Sequence, residues 1–305
     1  MAYAQLAERL KNPILACALA LLLPGPLCFA ASSVDEHRPA NPQGEVEIDN
    51  VAGMIDVQGW DKPEVAVTGT IGRDVERVEV TGGGNRTSIR VVLPSGQHWG
   101  MRDGEAHLVI RVPANSSVAA SLVSSDIRIS AIRGALDVRS VSGNITGEGG
   151  GDLRVNDVSG DIHFTANGAK RIEAKAISGS IVLTAGNADV EATTVSGDAH
   201  LSLGTVSRAR FKTVSGDFSA KLAAAPDAQI DGESVSGDIR LEFASEPAAD
   251  YEVQTLSGDI ENCFGPRPVE ARHGPGKRLI FKTGDTSARV HLTSSSGDVR
   301  LCTRK

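Results

Sequence analysis

The sequence predicts an all-β protein: a parallel, single-stranded β-solenoid of about 17–21 residues per coil, with an irregular β cap on its N-terminal side. Three observations carry this. A Ser-Gly-Asp phrase recurs at a near-fixed interval, apolar residues alternate on both sides of it, and glycine is abundant while aromatics are few. Literal copies stand at Ser159–Asp161, Ser196–Asp198, Ser215–Asp217, Ser236–Asp238, Ser257–Asp259 and Ser296–Asp298, with looser ones at Ser124–Asp126, Ser142–Asn144 and Ser178–Ser180. Between central residues the steps are 18, 17, 19, 18, 19, 21, 21 and 39. A fixed period near 20 marks a stacked repeat, in which each unit buries its apolar face only against its neighbours.

From the N-terminus, residues 1–30 read as a secretory signal. Arg9 and Lys11 precede an apolar stretch from Ile14 to Leu23, Pro24-Gly25-Pro26 interrupts it, and cleavage is expected between Ala30 and Ala31. The apolar run is shorter than the roughly 20 residues a spanning helix needs. After signal removal the chain is therefore expected not to span a membrane, and to be periplasmic, secreted or held at the cell surface. Residues 31–44 read as a disordered lead-in, and residues 45–302 as one solenoid domain.

Within that domain, residues 45–113 lack the short period and read as irregular rungs that cap one end. Val51–Val57 resembles one copy of the phrase; Glu64–Thr70, Arg77–Val80, Thr87–Leu93 and Ala106–Val112 read as further strands, separated by Gly- and Pro-containing turns. Residues 114–302 carry the repeats. Counting from the central glycine, positions +2 and +4 are apolar (Ile162 and Phe164, Ile181 and Leu183), as are −7 and −5 (Leu153 and Val155). Both are period-two patterns of strands with one buried face. Position −2 is apolar as well (Val141, Val158, Ile177, Val195, Val214, Val235, Leu256) and is expected to point inward, across a phase break. Glycine at zero supplies the bend. Successive units are expected to pair in parallel, with right-handed winding.

Cys263 and Cys302 each follow a motif glycine by five residues, so they occupy one position in two repeats. Equivalent residues on adjacent strands lie about 4.8 Å apart, within disulfide reach, whereas an intervening coil would forbid the bond. In an exported chain the pair is expected to bond, which makes the doubled 39-residue step an excursion over 264–286 and not an extra coil.

The Val112-Pro113 pair, the repeated Ser-Gly-Asp-Ile and the last strand Ala288–Thr293 running into Ser296-Gly297-Asp298-Val299 resemble a bacterial β-strand-repeat family of unknown function. Its members are labelled candidate adhesins and called toastrack. The resemblance spans roughly residues 44–302. It implies an exported or membrane-attached envelope protein, sometimes linked to envelope-stress signalling, and supplies no catalytic residues.

The residue after each motif glycine is expected to face outward: Asp126, Asn144, Asp161, Asp198, Asp217, Asp238, Asp259 and Asp298, with Ser180 in the same row. Stacked carboxylates repel, and either a hard cation such as calcium or nearby basic groups would relieve this. Arg128, His163, His200, Arg240 and Arg300 stand two residues on, so compensation is expected and no metal site is assigned. The 5–5.5 Å carboxylate spacing of a retaining glycosidase recurs at every rung and singles out none. The histidines show no metal spacing, and no nucleophile elbow or phosphate-binding loop occurs. A net charge of −7 without a basic stripe argues against nucleic acid. No catalytic residue and no cofactor are expected. The function the sequence supports is a non-enzymatic, adhesin-like envelope scaffold that binds an envelope protein or a surface glycan through the ladder. An envelope-stress accessory and a polysaccharide-active enzyme are the alternatives.

Overall fold

The computed structural model describes residues 32–94, 104–271, 275–285 and 287–304. Their strands join in one hydrogen-bonded sheet that coils on itself. Each repeat contributes one strand before its Ser-Gly-Asp corner and one after it. Strands before the corner stack in parallel with their counterparts, as Leu153–Ser159 does on Leu136–Ser142, and strands after it do the same, as Ile162–Ala166 does on Ile145–Gly149. This is the β-solenoid, and it places equivalent repeat positions in straight rows along the axis.

Coils do not stack in sequence order at either end. The spatial order is 86–92 with 106–113, then 45–60, 117–132, 136–149, 153–166, 171–185, 189–203, 209–222, 230–243, 289–303 and 250–262. The first coil of the chain is thus flanked by the second and third. The last is inserted between its two predecessors, so the expectation that successive units pair fails there. At the usual strand spacing the stack is roughly 48 Å long.

The extra segments cover the ends. Strand Glu64–Ile71 runs antiparallel against Ala106–Pro113 and against residues 32–39. Residues 32–39 are therefore paired strand rather than a disordered lead-in; backbone hydrogen bonds hold them, and no apolar pattern announces them. Residues 45–60, and strands 86–92 and 106–113, read as irregular rungs, stack as coils, with Gly53 in register with Ser125. At the other end the 264–286 excursion carries strand Lys277–Lys282, antiparallel to Asp250–Ser257. Both devices pair an edge that would otherwise template aggregation.

The interior is a set of stacked side-chain columns. Ile145, Ile162, Ile181, Ala199, Phe218, Ile239, Val299 and Ile260 form one column, all buried. Each large aliphatic side chain in it contributes on the order of 2 kcal/mol. Phe211 stacks on Phe218 with centroids 4.2 Å apart, and Tyr251 on Phe281 at 4.4 Å, closing the C-terminal end.

Candidate functional site

The corner is built on glycine for a steric reason. The motif glycines from Gly143 to Gly297 have φ between 126° and 157°. A methyl group on any of them would overlap a backbone carbonyl oxygen of the neighbouring corner: Gly160 for Gly179, Gly179 for Gly197, Gly237 for Gly297, Gly297 for Gly258. Only glycine lets corners stack at strand spacing with this backbone.

The residue after each glycine faces outward, and the stacking gives it a defined task. The amide of Asn144 donates to Asp126 Oδ1 at 2.7 Å, that of Asp161 to Asn144 Oδ1 at 3.2 Å, and that of Ser180 to Asp161 Oδ1 at 2.8 Å. The series resumes with Asp217 to Asp198 at 2.8 Å, Asp238 to Asp217 at 3.0 Å, Asp298 to Asp238 at 2.9 Å and Asp259 to Asp298 at 2.8 Å. Each carboxylate except Asp259, the last in the stack, thus caps the next corner with Oδ1. Ser180 is too short to continue the series.

Basic groups play a smaller part than the sequence suggests. Arg240 bridges Asp217, at 2.9 Å, and Asp238, and holds the Asp217 carboxyl below the usual carboxylate range, helped by the Asp238 amide. Arg300 turns to Glu261 at 3.4 Å, and Asp259 is met by Lys277 from the excursion. Among the described residues, Arg128, His163 and His200 make no ion pair with the ladder. Amide donors do most of the holding because they recur at every corner, whereas basic side chains do not.

The −2 row points the opposite way from the sequence reading. Val123, Val141, Val158, Ile177, Val195, Val214, Val235 and Leu256 are 41–55% exposed, in a line broken only by Ser295. Position −3 is the inward one. There Thr213 donates to Gly216 O at 3.4 Å, Ser234 to Gly237 O at 3.0 Å and Thr255 to Gly297 O at 3.1 Å. Strict alternation from −7 puts −3 inside and −2 outside, and the phase break falls after −2. Asp157 occupies this interior row, 3% exposed. Burial pushes its carboxyl up to about 6; the Ser140 hydroxyl and the Val158 amide oppose this only in part, and neither closes a well-formed hydrogen bond to it.

Cys263 and Cys302 are brought together as a disulfide with Cα atoms 4.8 Å apart, across the contact between strands Ile260–Asn262 and Val299–Thr303. Glu261 is the one carboxylate that approaches this pair as a possible third metal ligand among the described residues, and both thiols are consumed in the bond. Trp60 donates from its indole to Glu64 O at 2.7 Å with Lys62 over its ring, a packing contact at the cap. Trp99 and the proposed cleavage point at Ala30 and Ala31 lie outside the described residues. Among the described residues no helix is long and apolar enough to cross a membrane.

Stacked coils with rows of identical residues define a β-repeat surface, not a single pocket. Residues 45–302 match the family of unknown function called Toastrack DUF4097, and the chain belongs to that family. No curated protein matches. Two solved structures are similar. One is a candidate adhesin from Bacteroides fragilis, at 13% identity and TM-score 0.42, covering 89% of this chain and 97% of that one. The other is a candidate cell adhesion protein from Clostridium sporogenes, at 7% identity and TM-score 0.30, covering 90% and 100%.

Proposed function

We propose that this chain is an exported, non-enzymatic, adhesin-like scaffold of the bacterial envelope whose working surface is the ladder from Asp126 to Asp259. One observation carries the reading. Every ladder carboxylate but Asp259 has Oδ1 fixed by the next amide, which sets the direction of its Oδ2 at strand spacing; Arg240 takes Oδ2 of Asp217 and Asp238, and Asp126, Asp161, Asp198 and Asp298 keep theirs for a ligand. A row of acceptors fixed before binding loses little side-chain entropy on binding. Exposed serines at the −1 position flank it, Ser159, Ser196 and Ser215 among them. This chemistry complements a polyhydroxylated chain, and the ligand class we assign is a surface glycan.

The test uses Asn144 as its precedent, because an amide oxygen there already accepts the Asp161 N–H at 3.2 Å. The triple variant Asp161→Asn, Asp198→Asn, Asp298→Asn keeps the caps and removes ladder charges while leaving the Arg240 bridge in place. The native chain should be retained on immobilised envelope polysaccharide without shortening it, and the variant should bind at least about tenfold more weakly. Shortening of the polysaccharide would make the protein an enzyme. Equal retention of the variant, or retention by an envelope protein alone, would remove the ladder–glycan reading.

A further inference from the structure

The exposed apolar row from Val123 to Leu256 has no task in the fold or in the ladder. Its side chains sit one per coil at about 4.8 Å, over roughly 38 Å. At 41–55% exposure they present on the order of 600 Å² of contiguous apolar surface, at the upper end of what a monomer leaves open. Beside the row runs a shallow groove, with Val195, Val214 and Val235 on one bank and Thr193, Lys212 and Glu233 on the other.

We infer that this face is a homotypic interface: a second copy of the chain lays its own apolar row into the groove beside this one. Three features select that occupant. The first is period. A straight row at strand spacing over nine coils is matched along its length by a partner with the same repeat, and a copy has it. A two-fold axis parallel to the solenoid, between the apolar row and the groove's far bank, sets each row into the other's groove and makes the contact isologous.

The second feature is charge. The chain carries −7 overall, which would repel a copy. On this face, from coil 136–149 to coil 230–243, five basic residues (Arg139, Arg154, Lys175, Arg210, Lys212) balance five acidic ones (Asp137, Glu173, Glu191, Asp231, Glu233). Several are already paired within the face: Arg139 with Asp137 at 3.0 Å, Arg154 with Glu173 at 3.1 Å, Lys212 with Glu233 at 2.9 Å. A copy meets ground of zero net charge there, where the −7 of the whole chain does not act locally. The third feature is area. The apolar row alone presents on the order of 600 Å² per partner, most of the roughly 800 Å² that a standard specific interface buries on each side.

Sedimentation velocity of the purified chain over a concentration series tests this. The native chain should form a dimer, and Ile177→Lys with Val195→Lys should be monomeric at the same concentrations. If the lysines disturb folding, Ile177→Ser, Val195→Ser, Val214→Ser replaces them, since Ser295 occupies this position in coil 289–303 and leaves that coil intact. The serine variant should keep its melting midpoint and self-associate at least about 100-fold more weakly. A native chain monomeric up to about 100 µM, or a folded serine variant that dimerises as well as the native chain, overturns the proposal.

Discussion

Replacing Asp157 by Thr should stabilise the solenoid at neutral pH. The row Asp157 occupies holds uncharged residues in the other coils, among them Thr213, Ser234 and Thr255, whose hydroxyls donate to corner carbonyls. An ionised carboxylate has no proton to donate, and both Asp157 oxygens are buried without a partner. Its carboxyl is raised from the ordinary 3.8 to about 6, mainly by burial. A raised pKa means that the folded chain holds the proton more tightly than the unfolded one. Stability is therefore full below the unfolded value near 3.8, falls as pH rises through about 6, and levels off above. The difference between the two values amounts to about 3 kcal/mol. Denaturant melts at pH 4 and pH 7.5 read it directly. Asp157→Thr should be close to the native chain at pH 4 and more stable by about 2–3 kcal/mol at pH 7.5, a rise in melting midpoint of roughly 5–10 °C. A native chain whose stability relative to the variant is the same at both pH values, or a variant less stable at pH 7.5, refutes the reasoning.

Other expectations follow from the corner and from the coil order. Gly179→Ala sets a methyl against the Gly160 carbonyl at φ +133° and should cost at least about 3 kcal/mol, measured by thermal melting. Ser180→Asp restores the missing acceptor for the Asp198 amide and should add about 0.5–1 kcal/mol by the same assay. Cysteines at Ser236 and Ser296, one coil apart, should form a disulfide under mild oxidation. Cysteines at Ser236 and Ser257, two coils apart through the inserted one, should not. A mass-spectrometric peptide map reports both, and a 236–257 bond would contradict the coil order.

Much of this architecture is legible in the residues. The period gives the coils, the glycine gives the corner, and Cys263 with Cys302 at one repeat position marks two coils as neighbours. The insertion of coil 289–303 is not legible, because a period records that units stack and is silent on their order. The apolar −2 row misleads for a different reason. A valine flanked by serine reads as inward by composition, yet alternation from Leu136 and Val138 runs unbroken through Ser140 inward and Val141 outward. Geometry outranks hydropathy there because the strand keeps its two-residue period up to the corner, whatever residue falls on the inward position. The ladder's outward direction is legible, but its amide-capping task depends on stacking and appears only in three dimensions. Strand 32–39 escapes notice because its partner, Glu64–Ile71, holds it through backbone bonds and a His37–Glu64 side-chain contact at 2.9 Å, neither of which leaves an apolar pattern.

We propose that this chain binds through a repeated surface and not through one site. The most direct test is glycan affinity measured while ladder aspartates are changed to asparagine one coil at a time, from Asp161 through Asp198, Asp217 and Asp238. A graded loss that grows with the number of coils altered is expected, whichever is changed first. Complete loss on altering any single coil, with the others intact, would contradict it.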